Sequence, residues 1–137
     1  MTIDWRKHWW KPGFTLAFFT VGVPFWMIPY NKANLPDGLY GPGLVVVLAA
    51  AVLARGYSGK SFMRSVLVMG SAVPVAVMAR VIVEVAQRSN SHNLWPFELV
   101  IAMLVGGAAA VVGALLGSLL LWANRGGYGN RGLEDRE

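Results

Sequence analysis

The chain has 137 residues, of which 55% are hydrophobic and only 14% are charged, against about 25% charged residues in a typical soluble domain. It has no cysteine, which excludes disulfides, thiolate catalysis, cysteine-ligated zinc and iron–sulfur clusters. Its net charge of +5 comes from basic residues that lie mostly between apolar segments. We therefore interpret the charge as a sign of membrane topology, and we expect no binding to nucleic acid.

Four apolar segments follow one another along the chain and predict an all-α integral membrane protein. A bilayer core about 30 Å thick requires about 20 mostly apolar residues of helix. We predict a short interfacial helix at the N-terminus and then a four-helix bundle of two transmembrane hairpins, in a single domain. The predicted segments are the interfacial residues 1–12, the spans 13–30, 39–55, 64–87 and 95–123, and a cytoplasmic tail at 124–137.

The interfacial segment is rich in tryptophan and in cations. Asp4 is placed to cap a short helix, which we expect to lie on the inner leaflet. Pro12-Gly13 is expected to turn the chain from this helix into the first span. Within that span, Pro24 predicts a kink, and Pro29 predicts that the helix ends before it.

The next two spans differ in their polar content. The second is almost purely aliphatic from Leu44 to Leu53, so we expect it to present the broadest face to lipid. In the third span, Pro74 predicts a kink and a free backbone carbonyl near Gly70.

Ionisable side chains lie inside the third span, where Arg80, Glu84 and Arg88 are spaced four apart and share a helix face. An unpaired arginine near the membrane midplane costs about 2.5–3.5 kcal/mol on insertion scales, so Arg80 needs a counter-charge. Glu84 is the nearest candidate, and Glu98 near the outer end of the fourth span is the second. Two interpretations stay open, a buried pair that fixes helix register or a polar pocket that forms an ion or proton path. His92 is a candidate for metal binding or proton transfer, but one histidine without fixed spacing is a weak signal, and we predict no metal and no cofactor.

Small residues recur every four positions in the fourth span, which allows close approach of helix backbones. They form two adjacent stripes, the first with Ala109, Gly113 and Gly117, and the second with Gly106, Ala110, Ala114 and Ser118. The pattern predicts packing against two partners. One partner is expected within the chain, and the other is another copy, another subunit or a further helix of the same chain.

Basic residues indicate the orientation, because those that flank membrane spans are retained on the cytoplasmic side. With four crossings, nine of the twelve Lys and Arg residues lie on one side, namely Arg6, Lys7, Lys11, Arg55, Lys60, Arg64, Arg125, Arg131 and Arg136. We therefore predict a multi-pass protein of the plasma membrane with both termini in the cytoplasm.

The sequence contains no nucleophile–histidine–acid arrangement, paired-histidine motif or nucleotide fingerprint, so we do not expect an enzyme. The leading hypothesis is a non-catalytic structural or assembly subunit that packs against itself or a larger membrane complex. The alternative is a homo-oligomeric channel or transporter for an ion or small solute, with Arg80 and Glu84 facing the path.

Overall fold

A computed structural model describes residues 4–35, 37–88 and 94–134. These residues form six α-helices and two short 3-10 helices and contain no strand, which confirms the all-α prediction. The α-helices are α1 (Trp5–His8), α2 (Trp10–Met27), α3 (Pro42–Gly56), α4 (Phe62–Gly70), α5 (Ala72–Gln87) and α6 (Trp95–Glu134), and the 3-10 helices are Tyr30–Lys32 and Asp37–Leu39.

The long helices pack side by side, with α2 and α6 each in contact with α3 and with the α4–α5 segment. Helix α2 runs antiparallel to α3, since Gly13 lies against Ala50 while Gly43 lies against Thr20. The described contacts therefore place the long helices in a closed ring, in the order α2, α3, α6 and α4–α5.

Helices α3 and α6 run parallel, because Gly113 lies against Leu48 and Gly117 lies against Val52. The start of α2, the residues 57–61 between α3 and α4, and residue 125 of α6 consequently lie at one end of the bundle. We call this the basic end. The Arg6 guanidinium stacks over the Tyr57 ring at 4.9 Å and joins α1 to the same end.

The N-terminal segment differs from the prediction at Pro12-Gly13, which does not turn the chain. Trp9 keeps helical dihedral angles between α1 and α2 (φ −52°, ψ −30°), and the Gly13 N–H donates to the Trp9 carbonyl at 3.0 Å. Pro12 lies in the first turn of α2, where a missing N–H costs no helical hydrogen bond. The separate helix α1 is therefore a single turn. Asp4 precedes it, but its side chain makes no capping bond.

Prolines set two breaks in the helices as the sequence predicts. Helix α2 ends at Met27, and Ile28 is extended (ψ 124°) directly before Pro29. Pro74 lies near the start of α5, which is separated from α4 at Ser71. The Gly70 carbonyl, four residues before Pro74, faces Gly106 of α6, where an added Cβ would lie 2.5 Å from that oxygen.

Small and medium apolar side chains fill the interior, while large apolar side chains remain exposed on every long helix. The fully covered residues include Ala17, Val47, Ala51, Met69, Val73, Val77, Ala102 and Ala110. The exposed residues include Leu16, Phe19, Val45, Leu67, Ile82, Leu104, Leu115 and Leu119. A soluble monomer rarely exposes contiguous apolar patches above a few hundred Å², and the exposure of these side chains agrees with the two candidate membrane spans described below.

Helix α6, and not α3, has the broadest exposed apolar face. Helix α3 contacts α2, α4 and α6 and buries Val47, Ala50, Ala51 and Ala54, so the prediction that it faces lipid most broadly was wrong. The aliphatic run carries alanines that permit close packing on several sides, and this outweighs its lack of polar groups.

Two helical segments in the described residues are long and apolar enough to cross a membrane. They are Phe62–Gln87, with a mean hydropathy of 2.2, and Trp95–Arg125, with a mean hydropathy of 2.6. Helix α3 is a shorter apolar helix of 15 residues. Two of the four predicted segments thus have the length and composition of a membrane span.

Candidate functional site

Arg80 is the buried charged residue of the described core, with 6% of its surface exposed. Its Nε donates to Glu84 Oε1 at 2.7 Å, which is the i, i+4 pair considered from the sequence. Its Nη1 donates to the Phe25 carbonyl at 2.5 Å and its Nη2 to the Ile28 carbonyl at 2.8 Å. The guanidinium also lies 4.7 Å from the centre of the Phe25 ring.

These contacts place Arg80 at the C-terminus of α2, where the last carbonyls of a helix lack intrahelical partners. Helix α2 ends at Met27 because Pro29 favours an extended Ile28. The Phe25 carbonyl then accepts from the Ile28 N–H at 3.3 Å as well as from Arg80, and the Ile28 carbonyl is open to Arg80. A cation at a helix C-terminus is also favoured by the helix dipole. We call Arg80, Glu84 and the carbonyls of Phe25 and Ile28 the Arg80 clamp.

A second hydrogen-bonded contact joins α2 and α5 near the clamp. The Trp26 indole N–H donates to the Ala76 carbonyl at 2.9 Å. Ala76 lies one turn before Arg80 on α5, and Trp26 lies between Phe25 and Ile28 at the end of α2, so this end of α2 is attached to α5 at two successive turns of α5. The attachment fixes both the register and the rotation of these parallel helices.

Two cavities border the clamp. One, of about 370 Å³, is lined by Trp26, Ala79, Arg80, Val83, Glu84 and Gln87. The other, of about 380 Å³, is lined by Phe25, Ala33, Asn34, Leu35, Arg80, Leu94, Phe97, Glu98 and Ile101. Glu98, in the first turn of α6, thus shares a cavity with Arg80, whereas the hydrogen bonds of Arg80 described above go to Glu84 and to the end of α2.

The remaining predicted polar residues lie outside the clamp. Arg88 is exposed and follows the end of α5, where its backbone N–H donates to the Glu84 carbonyl at 2.8 Å. His92 lies outside the described residues. Within the described ranges, no group of three histidine, aspartate or glutamate side chains is placed to hold a metal ion.

The small-residue stripes of α6 both contact helices of the same chain. Gly113 and Gly117 lie against the backbone of α3, whereas Gly106 lies against Gly70 and Val73 of the α4–α5 segment. Ala110 and Ala114 are buried, and Ala109 is half-buried. The two partners of α6 in this fold are therefore α3 and α4–α5, and the surface left for contacts outside the chain is formed mainly by larger side chains.

The α2 partner of Arg80 could not be found from the sequence, because no pattern links a carbonyl near Pro29 to an arginine 52 residues later. The available signal was the helix end at Pro29, which leaves carbonyls in need of donors. Chemically, arginine is only a donor, and all three guanidinium nitrogens here bond to groups of the chain. This arrangement suits a helix clamp.

Comparison of the chain with protein-family models, with curated proteins and with solved structures finds no match. Function is therefore inferred from the helix packing, the Arg80 clamp and the distribution of charge and apolar surface.

Proposed function

We propose that the protein is a four-span integral membrane protein with both termini in the cytoplasm, and that it acts as a non-catalytic structural subunit of a membrane assembly. The observation that carries the proposal is the Arg80 clamp. The one buried charge of the described core binds groups of its own fold, which is what a scaffold requires.

Charge supports the proposed orientation. Arg6, Tyr57 and the start of α2 lie at the basic end, together with most of the Lys and Arg residues of the chain. Lys32 belongs to the opposite end, as does Arg88 at the end of α5. Such an asymmetry favours a cytoplasmic location for the basic end.

Helix lengths fit four crossings of unequal length. At 1.5 Å per residue, α2 spans about 27 Å and α3 about 22 Å, whereas α6 exceeds the bilayer core of about 30 Å. Short spans are accommodated by local thinning of the bilayer and by flanking polar residues, and long ones by tilt. The exposed apolar side chains on every long helix would then face lipid or a partner.

The proposed assembly surface is the outer face of α6, because the small-residue stripes are already occupied within the chain. Leu104, Leu115 and Leu119 lie on this face and are 68%, 51% and 60% exposed. A copy of the chain or a larger membrane complex would pack against these side chains.

The test is the mass of the particle extracted in mild detergent. We expect a mass above that of one 14.9 kDa chain, from copies or from a co-purifying protein. Substitution of Leu115 and Leu119 by Trp should reduce the particle to a single chain, whereas the control Leu67→Trp with Ile82→Trp, at equally exposed positions, should not. A wild-type particle of one chain would reject the subunit proposal.

A second candidate is the homo-oligomeric channel or transporter for an ion or small solute, and the two cavities beside Arg80 favour it. Flux of halide, protons and small cations into liposomes tests this function. Flux that is lost in Glu84→Gln, with the helical content retained, would support transport. Absence of flux in the wild-type protein would leave the structural subunit as the better account.

A further inference from the structure

A third cavity lies at the basic end, away from the Arg80 clamp, with a volume of about 280 Å³. It lies between the starts of α2 and α4 and the end of α3. Its lining consists of Trp10, Ala54, Lys60, Arg64, Ser65, Val68 and Met69. The cavity thus combines two cations with an apolar wall and an aromatic side chain.

The two cations are uncompensated in the described part of the chain. Neither Lys60 nor Arg64 belongs to the ion pairs described there, which include Lys7 with Asp4 and Arg80 with Glu84. Two like charges that line one cavity of this size repel each other, so an anion bound between them would be stabilised by both.

The position of Lys60 is set by its backbone. Its N–H donates to the Ala54 carbonyl at 3.2 Å, and its carbonyl accepts from Arg55 Nη1 at 3.0 Å. Arg55 Nε in turn donates to Ser118 Oγ on α6 at 3.0 Å. The loop that carries Lys60 is therefore attached to α3 and α6, which lowers the entropic cost of holding the ammonium in place for a ligand.

The wall behind the cations is apolar. Ala54 and Met69 are 1% and 0% exposed, and Val68 is half-buried. Trp10 is 37% exposed and lies at the end of the bundle where an interfacial tryptophan is expected. A free inorganic anion would gain nothing from this wall, whereas an amphiphile with a phosphate group would use both parts.

We propose that this cavity binds an anionic phospholipid of the inner leaflet. The lipid phosphate would lie between Lys60 and Arg64, and the glycerol and first acyl carbons would lie against Val68 and Met69 beside Trp10. The proposal rests on the proposed membrane insertion, which places the basic end at the headgroup level. The two cations complement the charge of the lipid phosphate, and the apolar part of the lining complements its acyl carbons.

Native mass spectrometry of the full chain in detergent tests the site, after equilibration with equal amounts of phosphatidylglycerol and phosphatidylcholine of the same acyl chains. We expect the wild-type protein to retain phosphatidylglycerol preferentially. Because both cations would contact the lipid phosphate directly, Lys60→Gln with Arg64→Gln should lower this retention by about 30-fold. The control Lys7→Gln with Arg125→Gln removes the same charge from the same end and should stay close to wild type.

Three results would overturn the lipid site. They are unchanged retention in the Lys60/Arg64 variant, an equal loss in the control variant, and displacement of the lipid by millimolar inorganic phosphate. If the membrane proposal itself is wrong, the protein is instead recovered in the aqueous fraction without detergent. Circular dichroism of both variants should match the wild type, since all four substituted side chains lie outside the apolar core.

Discussion

Replacement of Arg80 by Met is the substitution that best separates a clamp from a conduction site. It removes three charge-assisted hydrogen bonds, to Glu84, Phe25 and Ile28, each of which contributes about 1.5–3 kcal/mol. It also removes a cation whose insertion costs about 2.5–3.5 kcal/mol. The hydrogen bonds lost outweigh the insertion cost that is avoided, and methionine fills part of the volume of the arginine side chain. We therefore expect the free energy of unfolding to fall by about 3 kcal/mol.

Glu84→Gln serves as the matched control, because it removes the counter-charge and leaves the carbonyl bonds of Arg80 in place. Glu84 is 22% exposed at its side chain, so water screens part of its interaction, and we expect a smaller loss of about 1 kcal/mol. In the double variant Arg80→Met/Glu84→Gln, the two losses in the free energy of unfolding should not add. The two residues are in contact, and we expect a coupling energy of about 1 kcal/mol between them.

Unfolding in mixed micelles by increasing sodium dodecyl sulfate, followed by far-ultraviolet circular dichroism, measures these differences. Arg80→Lys gives a further check, since a lysine keeps the charge but offers a single donor centre, and it should recover less than half of the loss. If Arg80→Met unfolds within about 0.5 kcal/mol of wild type, as an ordinary surface substitution does, the clamp interpretation is refuted.

Further predictions concern close helix contacts and are measured by the same unfolding assay. Gly106→Ala places a Cβ 2.5 Å from a carbonyl oxygen of the α4–α5 segment and should cost about 1–3 kcal/mol, whereas Gly107→Ala meets nothing within 4 Å and should stabilise α6 by about 0.5–1 kcal/mol. Gly43→Ala, where the Cβ would lie 2.6 Å from a carbonyl oxygen of α2, should be similarly destabilising. Gly41→Ala, where the Cβ would lie in open space, should not be. Equal effects within either pair of substitutions would contradict the helix packing described here. Trp26→Phe loses the bond to α5 and should cost about 1 kcal/mol, and no loss would show that the bond contributes little.

Much of the helical framework follows from local sequence patterns. Proline sets the end of α2 before Pro29 because the preceding residue is driven to an extended conformation. The break at Ser71 has a different cause, because Pro74 has no N–H to donate to the Gly70 carbonyl and its ring clashes with that carbonyl. The pairing of Arg80 with Glu84 follows from helical spacing. These features depend on residues within about one helical turn of each other, which is the distance over which sequence patterns are informative.

The contacts that join helices could not be obtained in this way. The bonds from Arg80 to α2 depend on how two parallel helices are rotated, which is set by packing along their whole length. The stripes of α6 predicted two packing partners, and which elements of the chain lie against them, α3 and α4–α5, depends on the folded topology. The prediction at Pro12-Gly13 was wrong because a proline in the first turn is compatible with a continuous helix.

Cysteine labelling tests the proposed topology most directly, because the natural chain has no cysteine to interfere. Single variants Lys7→Cys, Lys32→Cys and Asn124→Cys would be treated in intact cells with a membrane-impermeant maleimide. We expect Lys32→Cys to react at once, and Lys7→Cys and Asn124→Cys to react only after the cells are made permeable. Labelling of Lys7→Cys and Asn124→Cys from opposite sides of the membrane would contradict it.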